Sequence, residues 1–182
     1  YGGATLPGSI QALLTARIDR LMEDTRRTLQ VAAVIGRFFP RSPLAALVDR
    51  PEALERQLLD LQRMELIREV SRVPEPGYLF NHPLTHEATY NTILLKQRRK
   101  MHRRVAEVIE TLRGDEGLSA AAPVLAHHFL EGDAPERALP YLQMAAADAL
   151  RLHATVEAIA FYDRALPIAR DTAAGAPHLA EI

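Results

Sequence analysis

Apolar residues recur at helical spacing along most of the chain. Ile10, Leu13, Leu14, Ile18 and Leu21 share one face of a helix that Ser9 can cap and that runs to about Met22. Asp24 can cap a second helix to about Ile35, with Leu29, Ala32, Ala33 and Ile35 apolar, and Gly36 stops it. Ser42, with Pro43 at a first helical position, opens a short third helix from Leu44 to Val48. Pro51 opens a fourth to about Met64, with Leu54, Leu58, Leu59 and Leu61 expected inward. The period then changes. Leu66 to Val70 and Tyr78 to Phe80 are short apolar segments, and the Pro/Gly-rich stretch between them reads as the turn of a β-hairpin. Helical pattern resumes from Pro83 to about Leu94, and again from Gln97 to Leu112. Arg113 to Gly117 reads as a loop. Helices then follow at about Ser119–Leu130, Pro135–Leu152 and Thr155–Ala169, and the stretch after Asp171 reads as another loop.

Helix, helix, short helix, helix, hairpin, helix is the order of a winged-helix domain. The expected fold is therefore mainly α. A winged-helix domain with a small β-hairpin occupies residues 1–95. A helical linker and antiparallel tetratricopeptide-like α-hairpins occupy 96–182. The second half carries an internal echo: Glu136, Ala138, Leu139, Tyr141 and Leu142 are answered twenty residues later by Val156, Ala158, Ile159, Phe161 and Tyr162. Glu157, Ala158, Tyr162, Ala165 and Leu166 look like the second helix of a tetratricopeptide repeat. Tyr141, Phe161 and Tyr162 are expected in the core rather than in a binding groove. A repeat array needs neighbours to bury its faces. An apolar face left exposed on the last helix is expected, and with it a dimer through that face or marginal stability of the helix.

Composition narrows the function classes. Twenty-two Lys+Arg stand against 23 Asp+Glu, a net charge of −1, which excludes a nucleic-acid binder driven by bulk charge. The absence of Cys excludes disulfides, thiolate metal sites and a Cys nucleophile, and a cytoplasmic protein fits. No apolar run has the roughly 20 residues of a membrane span, and no membrane association is expected. Tyr1-Gly2-Gly3-Ala4 is no signal peptide, and the chain reads as an excised piece of a longer protein.

No phosphate-cradling G-x-x-x-x-G-K-[ST] loop and no G-x-S-x-G elbow occur, so no catalytic residue is expected in this fragment. His82 and His86 stand four apart and could share a helix face, but no third ligand accompanies them. No metal site is expected, and His86 is expected to be partly buried and hydrogen-bonded. His127 and His128 are adjacent, and are expected to point apart, one packed and one exposed. The dense basic run Lys96–Arg104 offers Arg98, Arg99 and Arg103 to phosphates or an acidic partner. The competing expectation is a solvated helix face, with Arg103 pairing to Glu107. The helix in the recognition position, Pro51–Met64, sets Glu52, Glu55 and Asp60 against Arg56 and Arg63, and the wing adds Arg72 and Glu75. Such a near-neutral surface disfavours DNA.

Five segments in order carry a resemblance: Leu6–Leu21, Gln30–Phe39, Tyr78–Tyr90, Arg98–Glu110 and Leu125–Phe129. Together they resemble the region after the ATPase core in bacterial multidomain STAND/AAA-type signalling ATPases. Those proteins join that core and tetratricopeptide repeats to an adenylate/guanylate cyclase domain or a LuxR-type DNA-binding domain. The resemblance implies a non-catalytic regulatory fragment of an ATP-dependent signal-transduction protein, which couples nucleotide state to partner or ligand binding by the repeats. It implies no cofactor in the fragment and ADP/ATP in the parent, which would carry the ATPase activity and either a cyclase or a DNA-binding output. The partners implied are the upstream ATPase core of the same chain and a protein or peptide at the repeats. In related switch ATPases a winged-helix His after a strand contacts the β-phosphate of ADP. His82, after Tyr78–Phe80, looks like that residue. The alternative is a winged-helix DNA-binding transcription factor.

Overall fold

The computed structural model describes residues 8–71 and 75–175. The chain divides into two compact units, Tyr1–Met101 and His102–Ile182. Both are mainly helical, and a small three-stranded antiparallel sheet lies in the first.

In the first unit α1 (Gly8–Asp19) and α2 (Glu23–Ile35) precede β1 (Phe38–Pro40), α3 (Arg41–Leu47) and α4 (Leu54–Arg63). Then come β2 (Ile67–Ser71), β3 (Gly77–Phe80) and α5 (Pro83–Asn91). The hairpin expected from the sequence forms, and β1 joins it as a third strand, giving the order β1-β3-β2. Phe39 pairs with Tyr78 and Ile67 with Phe80 across β3. The rings of Phe39, Tyr78 and Phe80 sit under the helices with Leu29, Leu44, Leu54, Leu58 and Leu61. Burial of each such side chain stabilises by about 1.5–3 kcal/mol. Thr28 Oγ1 donates to Gln57 Oε1 at 2.7 Å inside this core, which ties α2 to α4 without an orphaned polar atom.

Several expectations at the helix ends need correction. Ser9 lies within α1, which stops at Asp19 rather than Met22. The N-cap of α2 is Met22, without a side-chain bond; Asp24 is the second residue inside the helix and pairs with Arg50 at 3.3 Å. Ser42 lies inside α3, where its N–H and hydroxyl both donate to the Glu75 carboxylate. Leu59 is 52% exposed: Leu54, Leu58 and Leu61 complete the inward stripe, and Leu59 falls one step round the helix from it. Of the wing, Arg72, Val73 and Pro74 lie outside the described residues, as do Leu6 and Pro7.

The second unit holds most of α6 (Leu95–Glu131), with α7 (Pro135–Arg151) and α8 (Thr155–Gly175). Gly114 takes φ 58°, ψ 177°, and α6 doubles back there. In a straight helix residues 102 and 128 would stand about 39 Å apart, yet their side chains touch. The loop expected over Arg113–Gly117 is thus one non-helical residue, Gly114. That conformation is nearly restricted to glycine. The α6 arms bury Val105, Ala106, Ile109, Leu125, Ala126 and Phe129, and α7 buries Ala138, Leu142, Ala145 and Ala146. Phe161 is half-buried in the α7–α8 contact, as expected of a core residue, whereas Tyr162 is 44% exposed. The helix α8 continues to Gly175, past the loop expected after Asp171.

Both connections of this unit use one turn. Asp133 N–H donates to Leu130 O and Ala134 N–H to Phe129 O; twenty residues on, His153 N–H donates to Leu150 O and Ala154 N–H to Ala149 O. Asp133 and His153 both have positive φ, 59° and 58°. This is the paired-bond helix stop in which the left-handed position usually holds Gly. The sequence echo is therefore also an echo of backbone geometry.

Candidate functional site

His82 occupies the N-cap of α5 at φ −126°, ψ 137°. Its carbonyl accepts the N–H groups of Thr85 (3.0 Å) and His86 (3.3 Å), while its ring makes no capping bond and is exposed. Pro83 contributes no N–H. Leu84 therefore carries the first main-chain N–H of the helix. A helix N-terminus and an imidazole N–H both favour an anion. Asn81 fixes the approach to this point. Its Nδ2 donates to Glu65 O at 2.7 Å and its backbone N–H to Leu66 O at 3.0 Å.

His86 turns the other way. Its Nε2–H donates to Ala33 O at 2.8 Å, and its ring lies between Phe80 (5.2 Å, edge-on) and Tyr90 (6.2 Å, stacked). It is the half-buried, hydrogen-bonded residue that the sequence led us to expect. Burial holds its pKa below the ordinary imidazole value; the Ala33 bond opposes that shift, nearby Arg37 adds to it, and Glu87 opposes it. The four-residue spacing therefore does not bring His82 and His86 to a common ion.

Two residues of the basic run serve the chain itself. The Arg98 guanidinium lies 4.1 Å over the Tyr90 ring and donates to Ile93 O at 3.1 Å. Arg103 donates to the carbonyl of Gly132. Glu107, expected opposite Arg103, is taken instead by Arg137 at 2.6 Å. Arg137 also reaches Glu110 (2.8 Å) and covers the Phe129 ring at 4.2 Å. Tyr141, expected in the core, is half-buried: it stacks on Phe129 and donates its hydroxyl to Glu110. Burial pushes the Tyr141 hydroxyl up to about 12, with the Glu110 bond and charge adding and Arg137 opposing. Arg99 is exposed.

One grouping escaped the sequence reading. His102, His127 and His128 converge, with ring-nitrogen atoms all within 4.8 Å of one another. His128 is buried and His127 exposed, as expected, but the two rings do not diverge: their centroids are 5.3 Å apart. His102 was hidden in the basic run. The signal that finds it is the apolar stripe His102, Val105, Ala106, Ile109, which places its side chain inward. Desolvation lowers the His127 pKa, Glu131 opposes that shift, and Arg164 adds to it.

No family model, curated protein or solved structure matches the chain. No helix among the described residues is long and apolar enough to cross a membrane.

Proposed function

We propose that this chain is a non-catalytic regulatory region of a multidomain, ATP-dependent signalling protein. In this reading residues 1–95 form a winged-helix domain, and residues 96–182 a helical linker and the start of a tetratricopeptide-like array. One observation carries the proposal. The order α2-β1-α3-α4-β2-β3, with sheet order β1-β3-β2, leads directly into an exposed His82 at the N-cap of α5. His82 and Leu84 N–H would then hold a phosphate of ADP bound in an upstream ATPase core of the same chain. That contact would keep the parent shut. Exchange of ADP would release it, and partner or peptide binding by the repeats would bias the same equilibrium, each ligand acting through its differential affinity for the two states.

The test is to express this region joined to its upstream neighbour and measure co-purified nucleotide in the native sequence and in His82→Ala. Retained ADP that is lost in the variant is the expected result. Equal retention would remove the phosphate role from His82. The same winged-helix order favours a second reading, a DNA-binding transcription factor. Against it, Glu55 is held by Arg41 at 2.6 Å, Arg63 lies 3.6 Å from Asp60, and Leu59 stands exposed on the helix that would enter the groove. A salt-dependent shift of duplex DNA would restore that reading.

A further inference from the structure

The three histidines of the second unit are arranged as ligands. His102 lies on the first arm of α6, and His127 and His128 on the second. Nδ1 of His102 and Nδ1 of His128 are 2.8 Å apart, and a nitrogen of His127 lies within 4.8 Å of both partners' ligand atoms. Ring centroids are separated by 5.0 Å (102–128), 5.3 Å (127–128) and 5.8 Å (102–127). Three imidazoles radiating from one tetrahedral ion at Zn–N of about 2.05 Å would have centroids about 5.2 Å apart. The geometry points to a divalent transition-metal site of the zinc class, held by His102, His127 and His128, with water in the fourth position.

The donor set selects the metal. Three imidazoles with no thiolate suit zinc and its neighbours, whereas calcium and magnesium require oxygen ligands. Nδ1 of His102 and of His128 must part to about 3.3 Å to sit on one zinc ion, a movement of half an ångström. One of those atoms carries the hydrogen of their mutual bond. On ligation that ring moves its hydrogen to Nε2, so both lone pairs face the ion, and two neutral rings keep the same number of protons. A hydrogen-bonded pair accounts for His102 and His128 alone. It does not account for the third ring, which brings a nitrogen to within 4.8 Å of theirs from an exposed position and would close to about 3.3 Å on ligation. Glu131, close enough to act on His127, favours a cation there, and Arg164 opposes it. The bound ion would link the two arms of α6 at the end remote from Gly114 and so stabilise the hairpin.

The test is titration of the chelator-treated full chain with Zn2+ against a chromophoric competitor at pH 7.5, with Co2+ as a spectroscopic probe. We expect one Zn2+ per chain, a raised unfolding temperature, and Co2+ absorption of four-coordinate intensity. His127→Ala, an exposed substitution whose folding circular dichroism verifies, should weaken binding by more than about tenfold. His82→Ala should leave the affinity unchanged. Absence of stoichiometric uptake by the native chain would overturn the site, as would affinity that survives His127→Ala or falls in His82→Ala.

Discussion

His86 joins local chemistry to stability. Its folded-state pKa lies below the ordinary value of 6.5, chiefly through burial, so the folded state holds the neutral ring. The folded state then binds fewer protons than the unfolded chain across that window. The stabilisation is complete above about 6.5 and is lost as pH falls through the lowered value. Urea midpoints measured from pH 8 down to pH 5 should therefore fall on the acid side. His86→Gln keeps an N–H donor but cannot charge, and it should flatten that fall; an unchanged slope would contradict the assignment. Gly132 makes a different demand. A Cβ there would meet Arg103 Cγ at 2.6 Å, His128 O at 2.9 Å and Arg103 N at 3.0 Å. Two of these are backbone atoms, so Gly132→Ala should cost about 1–3 kcal/mol, read as a lowered urea midpoint. The burial of His86 was legible in the sequence because it follows an apolar strand and faces a helix. The meeting of His102 with His128 was not, because 26 residues separate them and only the reversal at Gly114 brings them together.

At the scale of elements, long amphipathic segments were legible and their ends were not. The stripes of α2 and α4 and the hairpin β2–β3 follow from periodicity alone. The strand β1 did not: three residues, Phe38–Pro40, are too few to show a period, and they become a strand only because β3 offers them an edge. The expected cap Asp24 lies inside the first turn of α2 rather than before it, and there it pairs with Arg50. The twenty-residue echo was visible, but its physical content is the repeated helix stop. Its left-handed position is filled by His153 in the second copy, where a non-glycine residue is disfavoured by about 1–2 kcal/mol. His153→Gly relieves that strain and loses part of the gain to unfolded-state entropy. The substitution should stabilise the second unit by about 0.5–1 kcal/mol, and thermal unfolding would show it. A drop in stability would mean that the His153 side chain does more than tolerate the turn.

For the whole molecule, the informative surface is the outer face of α8. Val156, Ile159, Tyr162 and Leu166 are 78%, 54%, 44% and 50% exposed and recur at three- and four-residue steps, so they form one apolar stripe. Ala158 and Ala165 are buried on the adjoining face. A helix that carries an exposed apolar stripe beside its buried face can contact a second neighbour. Exposed among the described residues, the stripe should pair with the same stripe of a second copy. Four side chains fall well short of the roughly 800 Å² per partner of a stable interface, so association should be weak, with Kd on the order of 10–100 µM. Sedimentation velocity across that range should show a reversible monomer–dimer shift. Ile159→Glu with Leu166→Glu should abolish it and leave the far-ultraviolet circular dichroism unchanged, because both side chains stand in solvent. A native chain that stays monomeric at millimolar concentration would mean that the stripe is not a stacking face. Dimerisation that persists in the double variant would move the interface elsewhere, and the exposed Leu59 of α4 would be the next residue to change.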